Sequence, residues 1–346
     1  MTIKTEILDV RNLDNNYDNI IKGAKYLKEG NVVAIPTETV YGLAADAFNE
    51  DAIKKVFEVK GRPQDNPLLV HIYKLDQVYD ICTNMPEEVE KVFESFWPGS
   101  VTLIFDKKDC ISDTVTAGMK TVAVRFPKSD IARAIIKESG TLLVAPSANL
   151  SGKPSTTSAS HCFNDLNEKI PCILDGGSCS IGLESTIIDM STENPVLLRP
   201  GAISLDEIQN VIPNLVYEKK LLGVKEDEIP KAPGMKYRHY APDVPVTLVE
   251  GDYSKTANYI KVNIKNNDVV ICFDEFLNYF KYHKHTYRLG SYKTLNTAAN
   301  RIFDLLRECD KLDIDHIYIQ APINIGLGNS ILNRLEKASA GDIIHI

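Results

Sequence analysis

The amino-acid sequence predicts an α/β fold, a mixed sheet interleaved with helices and followed by a second, smaller α/β domain. Three observations carry this expectation. Short runs rich in Val, Ile and Leu recur between stretches with helical periodicity. The intervals between those runs are uneven, so both parallel and antiparallel strand pairs are expected. A charged, Pro-containing stretch from about Asn214 to Val244 then interrupts the pattern before it resumes. The expected division is a first domain over 1–213, a linker over 214–244 and a domain of about 100 residues over 245–346.

The elements follow in order. Val32-Val33-Ala34-Ile35 reads as a buried strand ended by Pro36, and Asp51 to Val59 has the spacing of a helix. Leu68 to Ile72 is the next strand. Pro86 to Phe96 reads as a helix with Pro in its first turn. Val101 to Phe105, Thr121 to Phe126 and Leu142 to Ala145 read as strands, and Ser129-Asp130 opens a helix to about Lys137. Ser185 to Asp189 and Val196 to Leu198 close the first series. Beyond the linker, Val246 to Val249, Val269 to Phe273 and His316 to Ile319 read as strands, and Asn296 to Glu308 and Ser330 to Lys337 as helices. Gly326-Leu327-Gly328 reads as a turn rather than a nucleotide loop, because no further glycine completes the motif.

Composition narrows the function classes. The 346 residues are 44% hydrophobic and 25% charged, ordinary for a globular chain. No apolar run reaches the roughly 18 residues of a membrane span. Met1 to Val10 has no apolar core of a signal peptide, so a cytoplasmic location without membrane attachment is expected. The seven cysteines include no C-x-x-C pair, and an odd number fits free thiols in a reducing compartment. His161, Cys162, Cys172 and Cys179 match no zinc spacing, so no metal held by protein side chains is expected. The net charge is −8, with the acidic excess in residues 1–213. A global basic footprint for nucleic acid is absent, and an anionic ligand would need a local cluster of cations.

Such a cluster can be assembled from strand and helix ends. Pro36-Thr37-Glu38-Thr39-Val40-Tyr41-Gly42-Leu43 follows the first strand, where an α/β fold places its ligand loops. Lys60-Gly61-Arg62-Pro63 with Asn66-Pro67 sets two cations about a glycine and stiffens the loop with prolines. It would equally serve as a basic helix C-terminus. His71 lies on the next strand, either as a structural group or as a ligand. Arg125 alternates with Ala123 and Thr121 on one strand face and needs an anion to offset its burial. A bound carboxylate or phosphate would serve, and so would an Asp or Glu of the fold. Ala145-Pro146-Ser147-Ala148-Asn149 supplies small polar groups, and Ser155 follows in a hydroxyl-rich turn. Ser147 lacks the surroundings of a nucleophile elbow. Glu184-Ser185-Thr186 and Arg199-Pro200-Gly201 complete the set. Lys60, Arg62, Arg125 and Arg199 together point to one converging anionic pocket.

These motifs, with Phe96-Trp97-Pro98-Gly99 and the linker run His239-Tyr240-Ala241-Pro242, closely resemble the YrdC-like family of threonylcarbamoyl-AMP synthases in its longer two-domain form. The ordered matches run from about residue 15 to 245. The resemblance implies a twisted open mixed sheet with a concave active face, and a Rossmann-like second domain whose linker closes over that face. It implies a nucleotidyltransferase that condenses L-threonine, bicarbonate or CO2, and ATP into threonylcarbamoyl-AMP and pyrophosphate. The product then goes to a separate tRNA threonylcarbamoyltransferase that modifies adenosine 37 of tRNAs reading ANN codons. Weak contact of this chain with tRNA itself is left open.

By the same resemblance, Thr39, His71, Arg125 and Ser185 would hold threonine, with Arg125 on its carboxylate. Lys60, Arg62, Asn66, Thr121, Ser147, Asn149, Ser155 and Arg199 would contact ATP or the bicarbonate site, and Tyr240 would cover the nucleotide. Lys60 and Arg62 would act on the phosphates in catalysis, with Mg2+ riding on the triphosphate. Two other classes compete. An RNA-binding module is disfavoured by the acidic first domain. A carbamoyl-phosphate-dependent transferase is disfavoured by the lack of zinc-finger Cys pairs.

Overall fold

The computed structural model describes residues 3–87, 89–217, 230–233 and 239–346. The chain divides into two compact units. The first comprises 1–151, 155–180 and 184–236, and the second comprises 152–154, 181–183 and 237–346. Of the expected linker, residues 218–229 and 234–238 lie outside the described residues. Among the described residues no helix is long and apolar enough to cross a membrane.

The first unit runs β1 (Glu6–Asp9), α1 (Leu13–Lys28), β2 (Val33–Ile35), β3 (Gly42–Asp46), α2 (Glu50–Lys60), β4 (Leu69–His71), α3 (Gln77–Ile81) and β5 (Cys82–Thr83). It continues through α4 (Val89–Phe96), β6 (Val101–Lys107), α5 (Asp113–Thr116), β7 (Thr121–Arg125), α6 (Asp130–Ser139) and β8 (Leu143–Val144). It closes with α7 (Ala159–Leu166), β9 (Cys172–Asp175), β10 (Thr186–Asp189), β11 (Val196–Arg199) and α8 (Leu205–Val211). Among the described residues these strands form one sheet in the order β1-β9-β2-β3-β8-β4-β7-β6-β10-β11, with β5 beside β6. Pairing is mixed, as expected: β4 with β7 and β6 with β10 are parallel, whereas β6 with β7 and β10 with β11 are antiparallel.

Local chemistry explains the boundaries. Asn49 caps α2 by accepting from the N–H groups of Asp51 and Ala52, and Gly61 ends it in the left-handed region at φ 60°. Ser129 caps α6 on Ala132 N–H. The expected helix from Pro86 is seen over Val89–Phe96, and Pro86 itself lies ahead of it. β1, α1, β3, α3, β5, α5, α7, β9 and α8 have no counterpart in the sequence expectation. Small residues hide β3, since Gly-Leu-Ala-Ala-Asp has little strand propensity. It persists because β2 and β8 flank it on both edges.

Strand alternation gives the sheet two different faces. Val70, Leu103, Val122, Val124, Ile188 and Leu197 belong to the large core that also buries Tyr41, Phe93 and Trp97. Leu69, Ile104, Ala123, Ile187 and Leu198 form a small apolar floor on the opposite face, covered by Ala232.

The second unit carries β12 (Val246–Glu250), α9 (Tyr253–Asn263), β13 (Val269–Phe273), β14 (Thr286–Gly290), α10 (Asn296–Cys309), β15 (Ile317–Gln320), α11 (Leu327–Ala338) and β16 (Ile343–His345). Its sheet has the order β14-β13-β15-β12-β16 and is parallel throughout. Crossover helices between parallel strands are the Rossmann-like arrangement expected of it.

Candidate active site

A row of polar side chains crosses the small-floor face of the first unit on five neighbouring strands. His71 ends β4 and stands in register with Arg125 at the end of β7, which stands in register with Thr102 on β6. Thr102 and Ser185, just before β10, share a hydroxyl–hydroxyl hydrogen bond of 2.7 Å. Arg199 at the end of β11 donates from Nε and Nη2 to the Ser185 carbonyl, at 3.1 and 2.9 Å, and from Nη2 to Ser185 Oγ at 3.2 Å. All five side chains are buried. The backbone here has no slack: a Cβ on Gly201 would lie 2.3 Å from Thr186 N and 2.5 Å from Ser185 C.

Arg125 is the hub. Its Nη1 donates to Thr39 Oγ1 at 2.7 Å, its Nη2 to Glu38 Oε1 at 2.7 Å and its Nε to Gly99 O at 3.3 Å. Of the two partners the sequence left open for this buried cation, the fold supplies a carboxylate of its own, Glu38. Burial raises the Glu38 pKa, but Arg125 and the backbone N–H donors around its carboxylate outweigh that and leave it lowered. Thr37 Oγ1 donates to Val40 O at 2.6 Å and lies 2.9 Å from Thr39 Oγ1, which shapes the loop that carries both hydroxyls. His71 is fully enclosed, and its pKa is pushed down to about 3, first by burial and then by Arg125. It is therefore a neutral imidazole, and its Nδ1 is buried with no hydrogen-bond partner.

A second group gathers at the end of α2. Lys60 Nζ donates to the carbonyls of Ser147 and Asn149, the latter at 2.5 Å. The basic end of α2 thus grips the 146–149 loop rather than only its own helix dipole. Asn149 Nδ2 donates to Leu150 O at 2.7 Å. Arg62 donates from Nε to Asn66 O at 3.2 Å and from Nη2 to Pro67 O at 2.9 Å. Asn66 is buried, and its Oδ1 has no partner. The loop is anchored to the sheet by Leu43 N–H to Pro146 O at 2.7 Å and Ala148 N–H to Tyr41 O at 2.8 Å.

The remaining expected residues fall as follows. Thr121 opens β7, on the same strand face as Arg125. Ser155 Oγ donates to Glu184 Oε1 at 2.5 Å, next to Ser185 in the chain. Tyr240 belongs to the second unit, where its ring stacks on Phe303 with centroids 5.1 Å apart. Three side chains outside the expected set support the site: Glu38 under Arg125, Thr102 beside Ser185, and Glu184 under Ser155. Glu38 and Glu184 stood in recognised motifs. Nothing in the apolar run Val101 to Phe105 marks Thr102 except its place in the alternation.

Two buried arginines, one lysine and a row of hydroxyls around a neutral imidazole make a site for an anionic, polar ligand. Residues 25–201 match the Sua5/YciO/YrdC family model, described as telomere recombination, and 203–340 match the threonylcarbamoyl-AMP synthase C-terminal domain. The chain is 42% identical to the threonylcarbamoyl-AMP synthase of Bacillus subtilis, covering 99% of this chain and 100% of that protein. It is also 42% identical to the enzyme of that name from Pyrococcus abyssi, over 93% and 94% of the two chains. The crystal structure of P. abyssi Sua5 complexed with L-threonine superposes with a TM-score of 0.90 at 40% identity over 99% of each chain. Escherichia coli YciO, at 19% identity and a TM-score of 0.52 over 57% of this chain, shares the fold of the first unit. Motifs, fold and full-length similarity converge: the chain belongs to the threonylcarbamoyl-AMP synthase family.

Proposed function

We propose that this chain condenses L-threonine, bicarbonate or CO2, and ATP into threonylcarbamoyl-AMP and pyrophosphate. The observation that carries the reading is the connected row Thr39–Arg125 and Thr102–Ser185–Arg199 on one buried sheet face, in a chain similar over its full length to synthases of that name. The amine of threonine attacks the carbon of CO2 and loses a proton, giving a carbamate; from bicarbonate the same bond forms with loss of water. A carbamate oxygen then attacks the α-phosphorus of ATP. The bond from that phosphorus to the β-phosphate oxygen breaks, and pyrophosphate leaves with the electron pair.

The roles follow the chemistry of each group. Arg125 takes the threonine carboxylate, with Thr39 and Ser185 on the polar groups beside it. Glu38 keeps the Arg125 guanidinium aimed. His71, being neutral, adds no further positive charge next to Arg125 and leaves the threonine amine its lone pair. Lys60, Arg62 and Arg199 face the phosphates and stabilise the charge that builds there in the transition state. Asn66, Thr121, Ser147, Asn149 and Ser155 supply hydrogen bonds to the nucleotide or to bicarbonate, and Tyr240 covers the nucleotide. Mg2+ would arrive on the triphosphate and neutralise part of its charge, with Lys60, Arg62 and Arg199 on the remaining phosphate oxygens. A tRNA threonylcarbamoyltransferase would consume the product, and the free cysteines favour a reducing compartment such as the cytoplasm for the reaction.

Pyrophosphate release from ATP, measured with and without L-threonine and bicarbonate, tests the reading. Release that requires both is the expected result. Release with neither makes the protein a general nucleotidase. Absence of release, with salt-sensitive RNA binding, makes it a binding module.

A further inference from the structure

Residues 231–233 of the linker lie on the candidate site's own face within the first unit. Lys231 Nζ pairs with Asp189 Oδ2 at 3.0 Å. The Asp189 side chain is 1% exposed, and its other oxygen accepts from Ser191 N–H at 3.0 Å and Ser191 Oγ at 2.6 Å. Ala232 is fully buried and closes the apolar floor of Leu69, Ile104, Ala123, Ile187 and Leu198. Pro233 O accepts from Arg199 Nη1 at 3.2 Å. Three consecutive residues thus act in three ways: an ion pair, an apolar plug and a carbonyl on a site arginine.

The carbonyls of Ser185 and Pro233 hold the Arg199 guanidinium at different nitrogens. Ser185 belongs to the sheet. Pro233 follows directly on Ala232, buried in the floor, and Lys231, and among the described residues of the 230–233 strap Lys231 on Asp189 is the sole charged anchor. A planar guanidinium has a fixed fork of donors, so its aim toward a phosphate depends on both carbonyls. We infer that the Lys231–Asp189 pair is a positioning device that seats the strap on the sheet and thereby orients Arg199 toward the ATP phosphates. The inference rests on the synthase reading proposed above.

The test compares Lys231→Ala and Lys231→Arg with wild type in threonine- and bicarbonate-dependent pyrophosphate release. The Lys231 side chain is half-exposed and its removal opens no cavity, but it leaves the buried Asp189 carboxylate only its Ser191 donors, so melting temperature is measured alongside. Loss of a pair with one exposed partner is expected to raise KM for ATP about 2- to 5-fold. KM for threonine rises less than KM for ATP, because no hydrogen bond or ion pair joins Lys231, Ala232 or Pro233 to Thr39 or Arg125 and the strap reaches Ser185 only through Arg199, and Lys231→Arg restores the ATP value. Asp189→Asn, which keeps the shape of the side chain, reproduces the ATP effect. An unchanged KM for ATP in Lys231→Ala overturns the inference. So does an equal rise in both KM values with a lowered melting temperature, which would make the pair merely structural. If wild type itself shows no threonine-dependent release, the synthase reading fails instead, so the two failures are distinct.

Discussion

Arg125 Nη2 and Glu38 Oε1 meet at 2.7 Å with both side chains less than one-tenth exposed, and Glu38 also accepts from the N–H groups of Lys128 and Ser129 at the start of α6. One carboxylate therefore joins the first ligand loop, the site arginine and a helix N-terminus, where negative charge is favoured. Removing its charge leaves Arg125 buried without compensation. Glu38→Gln is expected to cost about 3 kcal/mol of stability in urea unfolding and to raise KM for threonine more than KM for ATP. A fully stable Glu38→Gln protein would show that another group compensates Arg125.

The Glu38 pKa is lowered in the fold from 4.5, so the unfolded chain takes up this proton first as pH falls. The stabilisation is whole above about pH 4.5 and is lost as pH drops through the folded value. Wild type should weaken steeply below that pH in thermal melts, and Glu38→Gln should weaken less steeply over the same range.

His71 behaves in a related way for a different reason. Its folded pKa of about 3 lies below the ordinary 6.5, so the unfolded chain binds a proton that the folded chain refuses. This contribution is complete above about pH 6.5 and shrinks as pH falls toward 3. The imidazole signals of His71 in NMR should therefore stay those of the neutral form from pH 8 to pH 5. A midpoint near 6.5 would show that the ring is hydrated rather than enclosed.

Arg62 is held by the carbonyls of Asn66 and Pro67, and the proposed reaction assigns it to the phosphates. Arg62→Ala should slow pyrophosphate release roughly 100-fold, by analogy with the loss of one preorganised donor to a developing anion. Near wild-type release would remove Arg62 from the phosphate site.

Gly201 fits only because it has no side chain. In Gly201→Ala the new carbon would meet backbone atoms of Ser185 and Thr186, which cannot swing aside as a side chain can. The substitution should cost about 2 kcal/mol through backbone displacement, and activity should fall further than melting temperature implies, since Ser185 moves with it. Calorimetry paired with the pyrophosphate assay separates the two effects.

The sequence by itself determined the α/β class, most core strands and the motifs that carry the chemistry. Those signals are local: an apolar run, a capping residue, or two cations about a glycine needs only its neighbours to be read. The cations of the candidate site were also legible, but the fold itself supplies partners for them, Glu38 for Arg125 and backbone carbonyls for Lys60 and Arg199. What the tertiary structure decided is non-local. β3 exists because strands on both sides hold small residues extended. Arg125 proved to have Glu38, 87 residues away in sequence, as its internal counter-charge. Thr102 joined the site because β6 lies between β7 and β10. The docking of Lys231 on Asp189 arose from a linker that composition alone marks as a spacer. Burial and pairing energies act between residues that only the folded sheet brings within a few ångströms, and no local pattern in the chain encodes those distances.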